Sequence, residues 1–384
     1  MALLGSPTRT VFLDTPPTAP NALPVLSFFT GGGFLDLGFE TVGFNIAWSN
    51  EYNVRFADLH DYAYTKWRQA TNPQAKAAKI SSTKSITHLH PRDIIEQAFG
   101  GRNSRPDIYG VIGGPPCTDF SVGGLQAGSA GFAGRLTGVY VKKLLDLNPA
   151  FFVLENVPSL VRHAKHKEYF DKKTKLLAAH YHLYERVLQA MEFGVPQDRE
   201  RLFVVGIKKG IRANCKAIPF EWPAMPRFAN AKSLDWPREN AFKADIAIPT
   251  GLPNELMVHH ALGGDGGVEH LPNGKEWFTP YSKKFGRVPE GRVSTKSFKR
   301  LHRFRYSPTA WYGNNEVHLH PTKARRISVR EALRLQSIPD SYVLPEEAPL
   351  CAKFKIICNG VPMKLAEKVA ASVKSHLVKI GCIQ

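Results

Sequence analysis

Cysteine is scarce in this chain and badly placed for cross-linking. The five cysteines, at positions 117, 215, 351, 358 and 382, are odd in number, widely spaced and contain no Cys-x-x-Cys pair. This pattern argues against a disulfide framework or a thiolate zinc centre, so no metal is expected and a reducing cytoplasm fits best. No apolar run approaches the ~18–20 residues needed to span a bilayer, so no membrane partner is expected. The segment from Met1 to about Pro24 has no basic start leading into a long apolar run, which argues against a secretory leader. Acidic residues are also few, 33 against 51 Lys and Arg, for a net charge of +18. Apolar residues, by contrast, make up 43% of the chain, enough to bury a core and to exclude a disordered or fibrous protein.

The positive excess is concentrated. Tyr281–Arg326 holds 12 Lys and Arg against 2 Glu. A local field of that sign attracts a polyanion, and nucleic acid is the usual one; a merely soluble basic surface would give the same count. Phosphate contacts are expected from the Lys283–Arg305 region.

Length alone predicts two domains, or one large domain with an insertion. Up to about residue 208, short buried-type strands (Val25–Phe29, Asn45–Trp48, Tyr109–Ile112, Phe151–Leu154, Leu202–Ile207) alternate with helical segments such as Val139–Leu147 and His166–His180. That alternation predicts an α/β fold with a mainly parallel sheet and helices on both faces. From Lys209 to Arg325 periodicity fades and Pro, Gly, Trp and basic residues accumulate. Regularity returns with a capping-box pattern, Ser328-Val-Arg-Glu331, and a last helix opened by Pro362 with Leu365, Val369, Val373 and Leu377 on one stripe. The expected organisation is one α/β domain from residues 1–208 and 326–384, with a smaller irregular domain, 209–325, inserted.

Four segments and one isolated acid, Glu51, carry candidate chemistry. Phe28-Phe-Thr-Gly-Gly-Gly-Phe34 follows the first strand, where glycines let the backbone turn tightly and approach a ligand; a plain strand-to-helix turn would look the same. Glu51, about 20 residues on, occupies the place where nucleoside-binding sheets hold ribose hydroxyls, or is an ordinary surface acid. Gly113-Gly-Pro-Pro-Cys117 leaves a strand's carboxyl end with its thiol on a Pro-stiffened loop, as a nucleophile or as a buried structural cysteine. Glu155 ends the strand Phe151–Leu154 and should face the same crevice, as a proton donor with a raised pKa or as a cap for the next turn. Gln197, Arg199 and Arg201 alternate on one face if extended, suited to clamping an anion or a base oxygen, or to pairing on an edge strand.

Taken in chain order, FFTGGG, GGPPC, ENV, QDRER, RRISVREALRLQSIPD and NGVP resemble the motifs of the DNA (cytosine-5) methyltransferase family, of the bacterial restriction-modification type. The resemblance covers roughly residues 24–208 and 320–384 and leaves the basic insert where that family places its variable target-recognition domain. It implies a Rossmann-like S-adenosylmethionine-dependent domain that methylates carbon 5 of a flipped-out cytosine in double-stranded DNA and releases S-adenosylhomocysteine. Cys117 matches the nucleophile, next to Pro116. Glu155 matches the residue that shares a proton with ring nitrogen 3, beside Asn156. Arg199 and Arg201 match the pair that holds the target cytosine and its backbone. Phe29, Thr30, Gly31, Gly32, Gly33, Leu35, Glu51, Tyr52, Ile86, Asn359 and Val361 fall at the cofactor positions. A restriction endonuclease sharing the site and a monomer on DNA are further implications.

The chain departs from the family pattern in places. Phe34 stands where a second glycine is usual, and Thr118 where Gln usually follows the nucleophile. The glycine of the C-terminal signature is displaced, giving Cys358-Asn-Gly-Val-Pro362. For the segment at the adenine amine, Ser85-Ile86 aligns better than Asp93-Ile94. An RNA-modifying relative and a catalytically silent binder share the fold, but the long basic insert disfavours the first and the retained thiol and Glu disfavour the second.

Overall fold

A computed structural model describes residues 22–116, 132–211, 218–295, 297–310, 312 and 316–383. The elements run β1 (Leu23–Phe28), α1 (Phe34–Thr41), β2 (Phe44–Asn50), α2 (Val54–Thr71), α3 (Pro91–Phe99), β3 (Gly110–Gly113), α4 (Phe132–Leu147), β4 (Phe151–Asn156), α5 (Ser159–Arg162), α6 (Ala164–Ala178), β5 (Tyr181–Gln189) and β6 (Glu200–Lys208). After the irregular segment that contains α7 (Val258–Ala261) come α8 (Val329–Leu335), α9 (Leu350–Asn359) and α10 (Met363–Lys379). Six strands form one sheet in the order β2-β1-β3-β4-β6-β5. Neighbours from β2 to β4 pair in parallel, and β6 is antiparallel to both β4 and β5. The expected α/β architecture is therefore present, with β5 as a strand the sequence reading did not assign.

The central strands read as apolar runs because both faces of the sheet are covered. Every residue of β4 is buried. Phe151 and Phe152 point to opposite faces, and each ring lies over a glycine of the neighbouring strand. Gly110 is paired with Phe151, and a Cβ on it would fall 2.1 Å from the Phe151 ring; Gly206 is paired with Phe152, with a corresponding distance of 2.0 Å. These two glycines are strand residues selected for volume, not for a turn.

Both chain ends build the domain. The α10 stripe (Leu365, Val369, Val373, Leu377) lies in one core with Val25, Phe151 and Phe203. Helices α1 and α10 approach closely because Gly38 has no side chain; a Cβ there would lie 2.5 Å from Ala366 Cβ. Ser328 and Glu331 form the capping box at α8, Ser328 Oγ accepting from the Glu331 amide and a Glu331 carboxylate oxygen from the Ser328 amide.

The segment between β6 and α8 holds short turns and isolated bridges such as Asn240–Glu290 and Arg300–Leu319. It has a small core of its own around Phe228, Trp236, Leu256 and Phe304, closed by Met191 from the β5–β6 connection. Val258, Leu262, Leu301 and Tyr312 instead join the cluster that contains α1, α2, α8 and α9 residues. Among the described residues no helix is long and apolar enough to cross a membrane.

Because the Phe151 and Phe152 rings fill the space over these glycines, Gly110→Ala and Gly206→Ala should each destabilise the fold by about 1–3 kcal/mol through overpacking. Urea unfolding measures this; unchanged midpoints would mean the rings can move aside.

Candidate active site

Strand β3 ends at Gly113, and Gly114-Pro115-Pro116 then crosses the end of the neighbouring β4. Asn156 Nδ2 donates to the Pro115 carbonyl at 3.2 Å, tying this loop to β4. A Cβ on Gly114 would lie 2.6 Å from Glu155 Oε2, so a larger residue there would have to displace the carboxylate. Cys117 and Thr118 follow immediately but lie outside the described residues. Gly114, Pro115, Glu155 and Asn156 thus lie together at the carboxyl ends of adjacent parallel strands, with Pro116 next in the chain.

Glu155 is buried, and its Oε1 lies 2.8 Å from Arg201 Nε. Burial raises the carboxyl pKa, while the charges of Arg201 and then Arg199 pull it back down. Opposed in this way, the group can hold or give up a proton without leaving its place.

Gln197, Arg199 and Arg201 face inward as their spacing predicts, with Asp198 and Glu200 turned outward. The three inward residues do different things. Arg201 meets Glu155. Arg199 is fully buried and donates from one terminal nitrogen to the carbonyls of Cys358 and Gly360, at 2.8 and 2.7 Å. Gln197 is also fully buried, and its side-chain amide has no hydrogen-bond partner among the described residues. Outward, Glu200 accepts two bonds from Arg162, and Asp198 meets Lys232 of the insert.

The glycine turn lies at the end of β1. Phe29, Gly31 and Gly33 have φ of 55°, 56° and 72°. The Gly31 amide donates to one oxygen of Glu51 at 2.9 Å and the Asn53 amide to the other at 2.7 Å, so the carboxylate is anchored across the turn. Burial nevertheless raises the Glu51 pKa against those two bonds. A Cβ on Gly31 would meet nothing closer than 4.0 Å, leaving the turn open above that residue. Tyr52, next to Glu51, is 69% exposed, and Asn359, next to Gly360, is also exposed. Thr30 donates its amide to the Asn50 carbonyl and shares a hydroxyl contact with Ser27. The side chains of Leu35, Ile86 and Val361 are buried in the core. Asp93 lies in the first turn of α3, next to buried Ile94.

Sequence reasoning missed what supports this turn. Ser27 Oγ donates to Asp36 at 2.7 Å beneath it, and burial lifts the Asp36 carboxyl to about 7. The two departures near the turn prove to be one. A Cβ on Gly360 would lie 2.1 Å from the Phe34 ring, so the bulk added at 34 occupies space released at 360. Phe34 packs edge-on to Tyr342, whose hydroxyl donates to the Gly32 carbonyl at 2.8 Å.

The basic insert is less available than its charge count suggested. Arg300 is fully buried and donates to the carbonyls of Val288, Lys323, His320 and Phe285, with its guanidinium over Phe242. Arg303 is paired with buried Glu290, Arg292 with Glu239, and Arg325 with Glu331 and Glu269. Lys283, Lys284 and Arg287 stay exposed. The insert is joined to the arginine-bearing segment, the Asp198 amide donating to the Ser307 carbonyl and the Ser307 amide to the Pro196 carbonyl.

The family described as C-5 cytosine-specific DNA methylase matches residues 23–375. Type II methyltransferase M.NmeDI of Neisseria meningitidis serogroup C is 40% identical over 357 residues, covering 92% of this chain and 84% of the relative. Type II methyltransferase M.MthTI of Methanothermobacter thermautotrophicus is 28% identical, covering 92% and 98%. Among solved structures, an Escherichia coli prophage-encoded DNA modification methyltransferase superposes with a TM-score of 0.64 at 22% identity, over 93% of this chain and 100% of the other. The Dnmt2 methyltransferase of S. pombe gives 0.58 at 13%, over 94% and 99%. These two structural likenesses speak for the fold.

Two outcomes follow from the support of the turn. Asp36 titrates near 7 in the fold against 3.8 as its ordinary value, so its contribution is complete at low pH and is lost as pH rises through about 7. Asp36→Asn should therefore gain in melting temperature relative to the parent between about pH 5 and about pH 8; a constant difference would place the Asp36 pKa elsewhere. Gly360→Ala should cost about 1–3 kcal/mol alone and much less in a Phe34→Ala background. A double-mutant cycle in urea tests this, and additive losses would show the two positions to be independent.

Proposed function

Because the chain belongs to the C-5 cytosine-specific DNA methylase family, we propose that the crevice at the carboxyl ends of β3 and β4 is its reaction centre. Cys117 is the nucleophile in this reading and Glu155 the proton-sharing acid. The activity is DNA (cytosine-5-)-methyltransfer from S-adenosylmethionine. The observation that carries the site reading is buried Glu155, held at 2.8 Å by Arg201 directly against Gly114 of the segment that leads into Cys117.

Carbon 5 of cytosine is a weak nucleophile. The Cys117 thiolate adds at carbon 6 while ring nitrogen 3 takes up a proton shared with Glu155, and carbon 5 becomes enamine-like. The cofactor, when bound, supplies an electrophilic methyl group on a sulfonium. After carbon 5 is methylated, loss of its proton and elimination of the thiolate regenerate Cys117. Carbon 6 is inaccessible in a stacked duplex, so the base is flipped out, at a cost of a few kcal/mol. Arg201 keeps Glu155 in place through these steps, and Asn156 keeps the preceding loop in place through the Pro115 carbonyl.

The glycine turn suits the cofactor. Its backbone is open at Gly31, and the Glu51 carboxylate fixed across it is of the kind that accepts from ribose hydroxyls. Phe29–Gly33, Glu51, Tyr52 and Asn359 would hold the nucleoside and amino-acid portions. Leu35, Ile86 and Val361 would contribute through backbone and packing.

The insert, 209–325, would be the target-recognition domain, with the residues flanking it in chain forming the catalytic domain. Its exposed Lys283, Lys284 and Arg287 are of the kind that contacts phosphate, and its attachment at Ser307 sets it beside the Arg199–Arg201 segment. The likeness to Type II methyltransferases supports a restriction-modification role. In this reading an endonuclease shares the site, and the enzyme acts in the cytoplasm as a monomer on double-stranded DNA.

Duplex DNA carrying 5-fluorocytosine should trap a covalent complex in the presence of S-adenosylmethionine, since fluorine cannot leave as a proton does. Cys117→Ala should abolish the complex, and Glu155→Gln should lower the single-turnover methylation rate by about 10²–10⁴-fold. Denaturing gel analysis and rapid quench measure both; an undiminished adduct in Cys117→Ala would overturn the assignment.

A further inference from the structure

The family resemblance gives Arg199 and Arg201 one shared task, holding the target cytosine. The two side chains are not placed alike. Arg201 reaches Glu155. Arg199 has no exposed surface and donates to the Cys358 and Gly360 carbonyls, across 159 and 161 residues of chain. Those carbonyls belong to the last turn and cap of α9, where intrahelical donors run out and the helix dipole favours a cation. Asn359, between the two clamped carbonyls, is exposed.

Contacts continue from there to the glycine turn. Gly360 lies under the Phe34 ring, Phe34 packs on Tyr342, and the Tyr342 hydroxyl donates to the Gly32 carbonyl. Arg199 also lies near enough to Glu155 to lower its pKa, after Arg201. It therefore stands between the proposed base pocket and the proposed cofactor turn.

We infer that Arg199 is a positioning residue that clamps the Cys358–Val361 segment against the glycine turn, so that cofactor affinity depends on it more than capture of the base does. The inference rests on the cofactor reading of that turn. The clamp replaces water as partner to two helix-end carbonyls with one pre-aimed guanidinium, which pre-organises Asn359 before any ligand arrives.

Calorimetric titration of the full-length chain with S-adenosylhomocysteine, without DNA, tests it. Arg199→Met should weaken binding by on the order of tenfold or more, the loss of a charge-assisted bond. Arg199→Lys, which keeps a cationic donor, should recover part of the loss. Arg201→Met should bind S-adenosylhomocysteine as the parent does and lose the 5-fluorocytosine adduct. Parental affinity in Arg199→Met would overturn the inference and leave the cofactor reading standing. Absence of binding by the parent would overturn the cofactor reading itself. Should Arg199→Met fail to fold, amide exchange in the parent decides the matter. In the ligand-free protein the amides of residues 357–361 should already exchange slowly, and rapid exchange there would overturn the clamp.

Discussion

A carboxyl group taken out of water beside two guanidinium groups is the constraint on which the rest of this structure depends. Burying a carboxylate without a partner is costly, and breaking a buried pair leaves an uncompensated charge. Glu155 is the penultimate residue of β4, whose six residues are all buried. Its neighbours are dictated in turn. At position 114 the carboxylate occupies the space of a side chain, so any larger residue would have to displace it, and β6 runs antiparallel to β4 so that Arg201, at its start, meets the end of its neighbour. The hairpin β5–β6 therefore serves the site as well as the sheet.

The same accounting applies to the insert. A count of basic residues suggested a broad polyanion-binding surface, yet several of the guanidiniums are structural. Arg300 gathers four backbone carbonyls in a region with little regular secondary structure, doing for irregular chain what a sheet ladder does for strands. The partners of Arg292 and Arg325 lie at Glu239, Glu269 and Glu331, outside the stretch whose charge was counted. Local charge density thus overstated the field available to a ligand.

Most of the scaffold was legible in the sequence because parallel strands buried on both faces leave unmistakable apolar runs, and because the α8 capping box and α10 stripe are local patterns. Strand β5 was not legible. Its burial follows no alternation at the sheet edge, with Tyr181 and Leu188 buried and half-buried and exposed residues mixed between them, and His182, Glu185 and Arg186 interrupt any apolar rhythm. In the site, the inward alternation of Gln197, Arg199 and Arg201 followed from strand geometry, but their partners did not, because Cys358 and Gly360 are brought there only by the fold. Phe34 and Gly360 looked like two unrelated departures, since the contact that joins them spans most of the chain. Asp36 escaped notice because nothing in a helix sequence announces that one acid faces Ser27 from within the core.

The attachment of the insert has a bearing on how such enzymes can diversify. Ser307 exchanges backbone hydrogen bonds with Pro196 and Asp198, and Lys232 pairs with Asp198. Met191, from the opposite side of the junction, completes the insert's small core. A different segment spliced in between β6 and α8 would inherit neither seam. Exchanging the segment by recombination would therefore require transplanting the 190–198 stretch along with it, or replacing residues within it while leaving these joints untouched.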